Sequence, residues 1–361
     1  RLWLLAGLTL GLAGLSKYHA ALFAFGAFAF LLATPHRVRL ARPAPWIAAA
    51  IAIVVVSPVL IWNARNDWVS FLFQSSRGAG RKGVSWPGLG RAVLGQMAYL
   101  APWTLVAAVL ASGSRLRAER SLHGPTAFLL ALALPSILIF TAVPLWGGDA
   151  LPHWQMPGWL FLIPVLGKAI AVIEAKTGSP SRLAHGFALA TTALLALAVA
   201  AVVLLRVLPP SQAAIGRLGI GGFLEESVTW RGLATGLAER GLLPARAATR
   251  PETRPIVVAF RWIEAARIAE ALGDRATVAV FDADPRVFAF LSNPADFVGR
   301  DVILIGRPRT FGRGLETVAP VFDRIERLPP IAVTLGDTTL FDAQIAIGRP
   351  KKPYPLPYPK R

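Results

Sequence analysis

The chain has 361 residues, 54% of them apolar and only 16% charged, and 38 Lys+Arg against 20 Asp+Glu leave a net charge of +18. So little charge with a positive mean hydropathy excludes a disordered chain and speaks against a wholly water-soluble one. The absence of cysteine excludes disulfides, thiol nucleophiles and cysteine-based metal sites.

The chain opens at Arg1, without Met and already inside an apolar run, so it reads as a piece whose N-terminal part is missing. Apolar blocks follow at 2–34, 45–62, 92–112, 125–145, 155–173 and 186–208. Crossing the hydrocarbon takes ~20 helical residues, so each of the last five can cross once. The first would be ~50 Å long as one helix, against a core ~30 Å thick. It is expected as two helices broken near Leu15-Ser16-Lys17-Tyr18-His19, which gives six or seven spans in all.

Charge divides the chain. Residues 1–207 hold 17 Lys+Arg and four acids, Asp67, Glu119, Asp149 and Glu174; residues 208–361 hold 21 and 16. The expected fold class is therefore an α-helical multispanning membrane domain over 1–207, followed by a small soluble α/β domain over 208–361. Loops 36–42, 114–124 and 174–185 carry eight positive residues, and loops 63–91 and 146–154 carry five. The positive-inside rule puts the first set in the cytoplasm, and the second set and the C-terminal domain outside.

In the second part, Ile256–Phe260, Ala276–Phe281 and Val302–Ile305 read as strands and 261–272 as a helix. Residues 331–347 read as a hairpin turning at Gly336-Asp337. The Pro-rich end, Lys351 to Pro359, reads as an extended packing or linker tail.

Few residues can carry chemistry. Asp67 and Asp149 are the only acids in the expected outer loops, hence the candidate general bases. Each has a plainer reading, Asp67 paired with Arg65 and Asp149 in a Gly-Gly turn. An intramembrane lysine is costly, so Lys17 is either held for an anion such as a lipid phosphate or snorkels from a helix break. Residues 74–83 spell GxGxxG at Gly78, Gly80 and Gly83, but no strand–helix–strand unit surrounds them and no acid follows ~20 residues on. The stretch reads as a basic loop, in which Arg77, Arg81 and Lys82 meet either an anionic ligand or acidic headgroups. His153 and Trp154 fit either a site or an interfacial aromatic belt. The other histidines, His19, His36, His123 and His185, are dispersed, and no metal-binding or nucleophile-elbow motif is present.

The segments Gly11-Leu12-Ala13-Gly14-Leu15-Ser16-Lys17-Tyr18, Pro58-Val59-Leu60-Ile61-Trp62-Asn63, Trp68-Val69-Ser70-Phe71-Leu72-Phe73-Gln74 and His153-Trp154 resemble the bacterial membrane glycosyltransferases of family 39. That group includes protein O-mannosyltransferase and the lipid A aminoarabinose transferase. The resemblance implies a GT-C fold in the inner membrane. It implies an enzyme that moves a hexose or pentose from polyprenyl phosphate to a lipid, glycan or protein at the outer face. It carries over Lys17 and the basic loop Arg77, Arg81 and Lys82 as donor-phosphate contacts, with Tyr18, His153 and Trp154 as further site candidates. Asn66 and Asp67 stand where the family commonly has His and Gly. The family's catalytic aspartate has no counterpart in this chain, so this piece alone is expected to be inactive. The resemblance implies no organic cofactor and no nucleic-acid partner. The alternative reading is a non-catalytic transporter or flippase of lipid-linked sugars, which should show two related halves; no internal repeat is legible.

Overall fold

The computed structural model describes residues 1–78, 83–148, 150–246 and 253–358, with backbone alone at 77, 78 and 206. The chain divides into two compact units, Arg1–Ala196 and Leu197–Arg361.

The first unit is helical. Its elements are α1 (Leu2–Ser16), α2 (Ala20–Ala33), α3 (Pro43–Arg65), α4 (Val69–Gly78), α5 (Trp86–Leu100), α6 (Pro102–Glu119), α7 (Pro125–Ala142), α8 (Met156–Leu160), α9 (Ile163–Thr177) and the start of α10 (Arg182–Val207). Block 2–34 is two helices, broken at 17–19 as expected. By length and composition, Pro43–Arg65, Pro125–Trp146 and Arg182–Leu205 can each cross a membrane, and three bent pairs bring the described residues to as many as six crossings.

Small residues draw these helices together. Gly7, Gly11 and Gly14 are the buried residues of α1 and lie against Ala48, Ala52, Val55 and Val56 of α3. A Cβ on Gly7 would collide with the Ala48 carbonyl, and one on Gly26 of α2 with the Ala131 carbonyl of α7. Close approach of backbones through small residues is how apolar helices associate where the solvent is itself hydrocarbon.

Two expectations are corrected. Block 92–112 is not one straight span. The chain turns by 96° between α5 and α6, at Ala101, which has φ +61 and precedes Pro102. A proline disfavours helical backbone in the residue before it. α5 therefore stays beside the segment after α7, with Gly88 against the Pro144 carbonyl and Tyr99 beside His153. Likewise block 155–173 bends by 51° between α8 and α9. The stretch 74–78 of the expected basic loop is helical, as part of α4.

The second unit holds α11 (Gln212–Leu218), α12 (Gly221–Ser227), α13 (Arg231–Glu239), β1 (Ile256–Ala259), α14 (Trp262–Leu272), β2 (Thr277–Val280), α15 (Phe288–Leu291), β3 (Val302–Gly306), α16 (Pro308–Val318), β4 (Phe322–Leu335) and β5 (Thr338–Pro350). The sheet order is β2-β1-β3-β5-β4. β1 pairs in parallel with β2 and β3, aligning Val257 with Val278 and Ile303. β5 runs antiparallel to β3 and β4. The parallel strands are buried on both faces, which is why they read as unbroken apolar runs. One face packs Trp230, Leu233, Leu237 and Ile268, and the other Phe281, Phe311, Leu315 and Val318. The hairpin turns at Gly336-Asp337 as expected but is longer, running from Phe322 to Pro350. The tail folds back: Tyr354 stacks on Phe281 at 4.5 Å, and Tyr358 accepts the Arg286 N–H at 2.9 Å.

At the carboxyl end of β3, Arg307 is buried. It donates from Nε to Glu264 at 2.9 Å and from a terminal nitrogen to Glu225 at 3.1 Å. Glu264 is buried too and also accepts from Thr310 at 2.8 Å. Burial works against the Arg307 charge, but its bonds to Glu264 and Glu225 outweigh burial and raise its pKa. The exposed pair Arg349–Asp301, at 2.9 Å, holds the Asp301 carboxyl below the usual carboxylate range through its hydrogen bond.

Candidate functional site

The helical unit has two ends, and polar groups gather at both. At one end three breaks meet: the α1–α2 junction Lys17-Tyr18-His19, the turn Asn66-Asp67-Trp68 after α3, and the segment from Val143 to Trp154 after α7.

α1 stops because Lys17 turns extended (φ −162°) while its N–H still caps Ala13 at 2.8 Å. Tyr18 is then fixed by a relay. The Asn63 Nδ2 donates to the Val59 carbonyl at 3.0 Å, so Oδ1 must face the other way, where it accepts from Ser70 Oγ. Ser70 has one proton. Having spent it on Asn63, it can only accept from Tyr18, whose hydroxyl lies 2.7 Å away. Tyr18 therefore donates inward and offers only lone pairs outward. Its ring stacks on Phe71 at 4.8 Å. The Asn63 carbonyl also accepts the Asn66 and Trp68 N–H groups at 3.0 and 2.8 Å. This turn holds Asp67 and Trp68 at φ +52° and +56°, a region costly for a bulky side chain.

His19 begins the next wall. Its ring lies 4.5 Å from Phe140, which meets Trp154 edge-on at 5.4 Å. His19 and Trp154 thus flank the same Phe140 ring, and the Lys17 charge acts on both His19 and His153. His153 faces Tyr99 at 6.2 Å. Gln155 is fully buried and anchors the segment by donating to the Phe140 carbonyl at 2.7 Å. Two buried polar atoms here, His19 Nε2 and Gln155 Oε1, have no hydrogen-bond partner among the described residues.

The structure thus brings Lys17 and Tyr18 to the same end as His153 and Trp154, two stretches far apart in sequence. Asp67 lies on the neighbouring turn, exposed, and forms no ion pair among the described residues; the pairing with Arg65 is not made. Arg81, Lys82 and Asp149 lie outside the described residues, and Arg77 is described only as helical backbone. No cluster of three or more His, Asp or Glu among the described residues is placed to hold a metal ion.

Sequence reasoning missed His19, Asn63, Ser70 and Gln155. The signal for His19 was present, since it adjoins Lys17 in the same helix break. Alternation of spans already places that break at the end where 146–154 lies. The relay through Asn63 and Ser70 joins residues seven apart across a turn with unusual backbone, which no periodicity reports.

Chemically, the end offers an ammonium with three donors, two imidazoles, an outward phenolic lone pair and flanking aromatic rings. Such a set suits an anionic group carrying hydroxyls, with the ammonium and ring N–H groups on the anion and the rings against an apolar or sugar face. Residues 1–62 match the model of the dolichyl-phosphate-mannose-protein mannosyltransferase family. The match contains Lys17, Tyr18 and His19 and stops one residue before Asn63. No curated protein and no solved structure matches the chain.

Proposed function

We propose that the chain is part of a membrane glycosyltransferase that takes a sugar from a polyprenyl-phosphate donor, with Lys17 as the donor-phosphate ligand. The observation that carries this reading is that the family-matched segment 1–62 supplies Lys17 at an end where His19, His153 and an aromatic wall lie close to it. In transfer from such a donor the bond between the sugar carbon and the phosphate oxygen breaks. Negative charge grows on the departing phosphate, and the acceptor hydroxyl gives up its proton to a base. Lys17 stabilises that growing charge through its ammonium, a charge-assisted contact to the phosphate oxygens. His153 and His19 bind beside it, and Trp154 and Phe140 wall the sugar. Arg77, Arg81 and Lys82 contribute further positive charge, and Asp67 or Asp149 remains the candidate base in this chain. The reaction end faces out of the cytoplasm in the bacterial inner membrane, as does the α/β unit, and the acceptor is a lipid, glycan or protein.

The test is transfer of a radiolabelled sugar from polyprenyl phosphate by the full-length protein in proteoliposomes. Lys17→Ala should lower the rate at limiting donor ~10- to 100-fold, the worth of one charge-assisted contact. Movement of the lipid-linked sugar between leaflets without transfer would replace the enzyme by a flippase.

A further inference from the structure

The opposite end of the same helices carries a second site. A cavity of about 700 Å³ lies between the α1/α3 pair and the α2/α7 pair. It exists because glycines pull each pair tight, through Gly7 against Ala48 and Gly26 against Ala131, and leave a wedge between the pairs. Its walls are hydrocarbon, from Leu10, Ala27, Leu31 and Ala49 among others. Its rim is not. The turn Pro35–Ala41, pinned to α3 by the Trp46 indole donating to the Leu40 carbonyl at 2.8 Å, brings Arg39 and His36 to the mouth. The His36 Nε2 is 3.1 Å from the His123 carbonyl, which can only accept, so this nitrogen carries the proton and ties the turn to the start of α7. Arg39 is exposed and has no ion pair among the described residues. The one acid close to this rim, Glu119, is occupied by Thr126 at 2.6 Å and Arg115 at 3.7 Å.

We propose that this cavity holds an acyl chain of an anionic phospholipid, with its phosphodiester on Arg39. Two of the wall helices, α3 and α7, are apolar over a length that suits a bilayer, so lipids are the molecules at hand. Uncompensated positive charge at the mouth selects an anionic headgroup, and a guanidinium can grip a phosphodiester with two parallel hydrogen bonds. The site lies at the end of α1 and α2 remote from Lys17, so it is separate from the proposed donor site and does not depend on that reading.

The full chain would be reconstituted in phosphatidylcholine vesicles containing a trace of phosphatidylglycerol with a photoreactive acyl chain. A parallel arm carries the same photoreactive chain on phosphatidylcholine. Labelling should fall on 24–31 and 45–49 and favour phosphatidylglycerol about 5-fold, the effect of one cation near an anionic headgroup. Arg39→Gln should erase that preference, and Ala27→Trp, which fills the cavity, should abolish labelling there. Free inorganic phosphate should not compete. Equal labelling by both lipids in the unaltered chain would overturn the headgroup assignment. No labelling of these segments, as when protein fills the wedge, would overturn the site itself. Labelling untouched by Ala27→Trp in a variant that elutes as the parent would do the same.

Discussion

In the α/β unit a charged side chain is buried whole: Arg307 lies in the interior with Glu264, Glu225 and Thr310 supplying its partners. In the helical unit Lys17 and Arg39 sit at helix ends, and the buried polar groups are neutral: Asn63, Gln96, Gln155, Ser112 and Ser136. The contrast matches the proposal that the helical unit lies in a membrane and the α/β unit in water. A unit that folds in water can bury a cation if carboxylates come with it, and the 16 acids after residue 207 supply them. The helical unit has four acids in 207 residues. Arg115 takes one of these acids, Glu119, and Lys17 and Arg39 at the helix ends form no ion pair among the described residues. The two cations proposed as ligands are thus unpaired with carboxylates among the described residues, whereas the buried cation of the α/β unit comes with its partners.

The largest break in this comparison should come from Arg307→Ala. It leaves Glu264 buried without its counterion, and removing one member of a buried pair costs roughly 3–5 kcal/mol. Hydrogen exchange in the full chain should show β1 and β3 opening far more readily; unchanged protection there would mean that Glu264 is relieved some other way. Next is Gly26→Leu, which forces a side chain into the Ala131 carbonyl. Overpacking of this kind costs ~1–3 kcal/mol. Thermal unfolding in detergent should drop by several degrees, whereas Gly167→Leu, where nothing lies within 4 Å, should not move it. Asn63→Ala should come third. It strips Ser70 of its acceptor and frees Tyr18, at ~1–3 kcal/mol for the polar groups left unpaired. Donor affinity should fall along with stability, and a loss of stability alone would take Tyr18 out of the site.

The smallest effect concerns pH. Arg349 lowers the Asp301 pKa in the folded state, so this pair adds stability above the unfolded aspartate value of ~3.9 and loses it as pH falls through the lowered folded value. Asp301→Asn should lower stability slightly at neutral pH, leave it unchanged at the acid end, and so flatten the acid limb below pH ~4 by the same small amount, because the pair is exposed; an acid limb as steep as the parent's in chemical unfolding would take the pair out of the account.

Much of the fold was legible because burial writes itself into composition. The runs Ile256–Phe260 and Val302–Ile305 are apolar at every position because both sheet faces are covered, and Pro43–Arg65 and Arg182–Val207 are apolar because lipid-length helices must be. Direction was less legible. A run such as 92–112 reports length and polarity but not a 96° turn, although Ala101 before Pro102 carried the hint. α11 to α13 and α16 went unread, since short amphipathic helices on a sheet leave a weak imprint. At the site, Lys17 could be found because an isolated lysine in an apolar block is expensive. What could not be read is how its neighbours meet, since the placing of His19 and Trp154 on one Phe140 ring and of Tyr18 on Ser70 is a property of how the chain breaks stack.

The most direct test of the central claim is the binding of a polyprenyl-phosphate sugar to the full-length protein in nanodiscs, measured for the unaltered chain, Lys17→Ala and Lys168→Ala. Lys168, on α9, serves as a charge-matched control outside the junction. Lys17→Ala should weaken binding ~10- to 100-fold and Lys168→Ala should not, as expected for one charge-assisted contact to phosphate. Equal affinity in all three proteins would contradict the account and leave Lys17 a helix-end residue that only reaches for water.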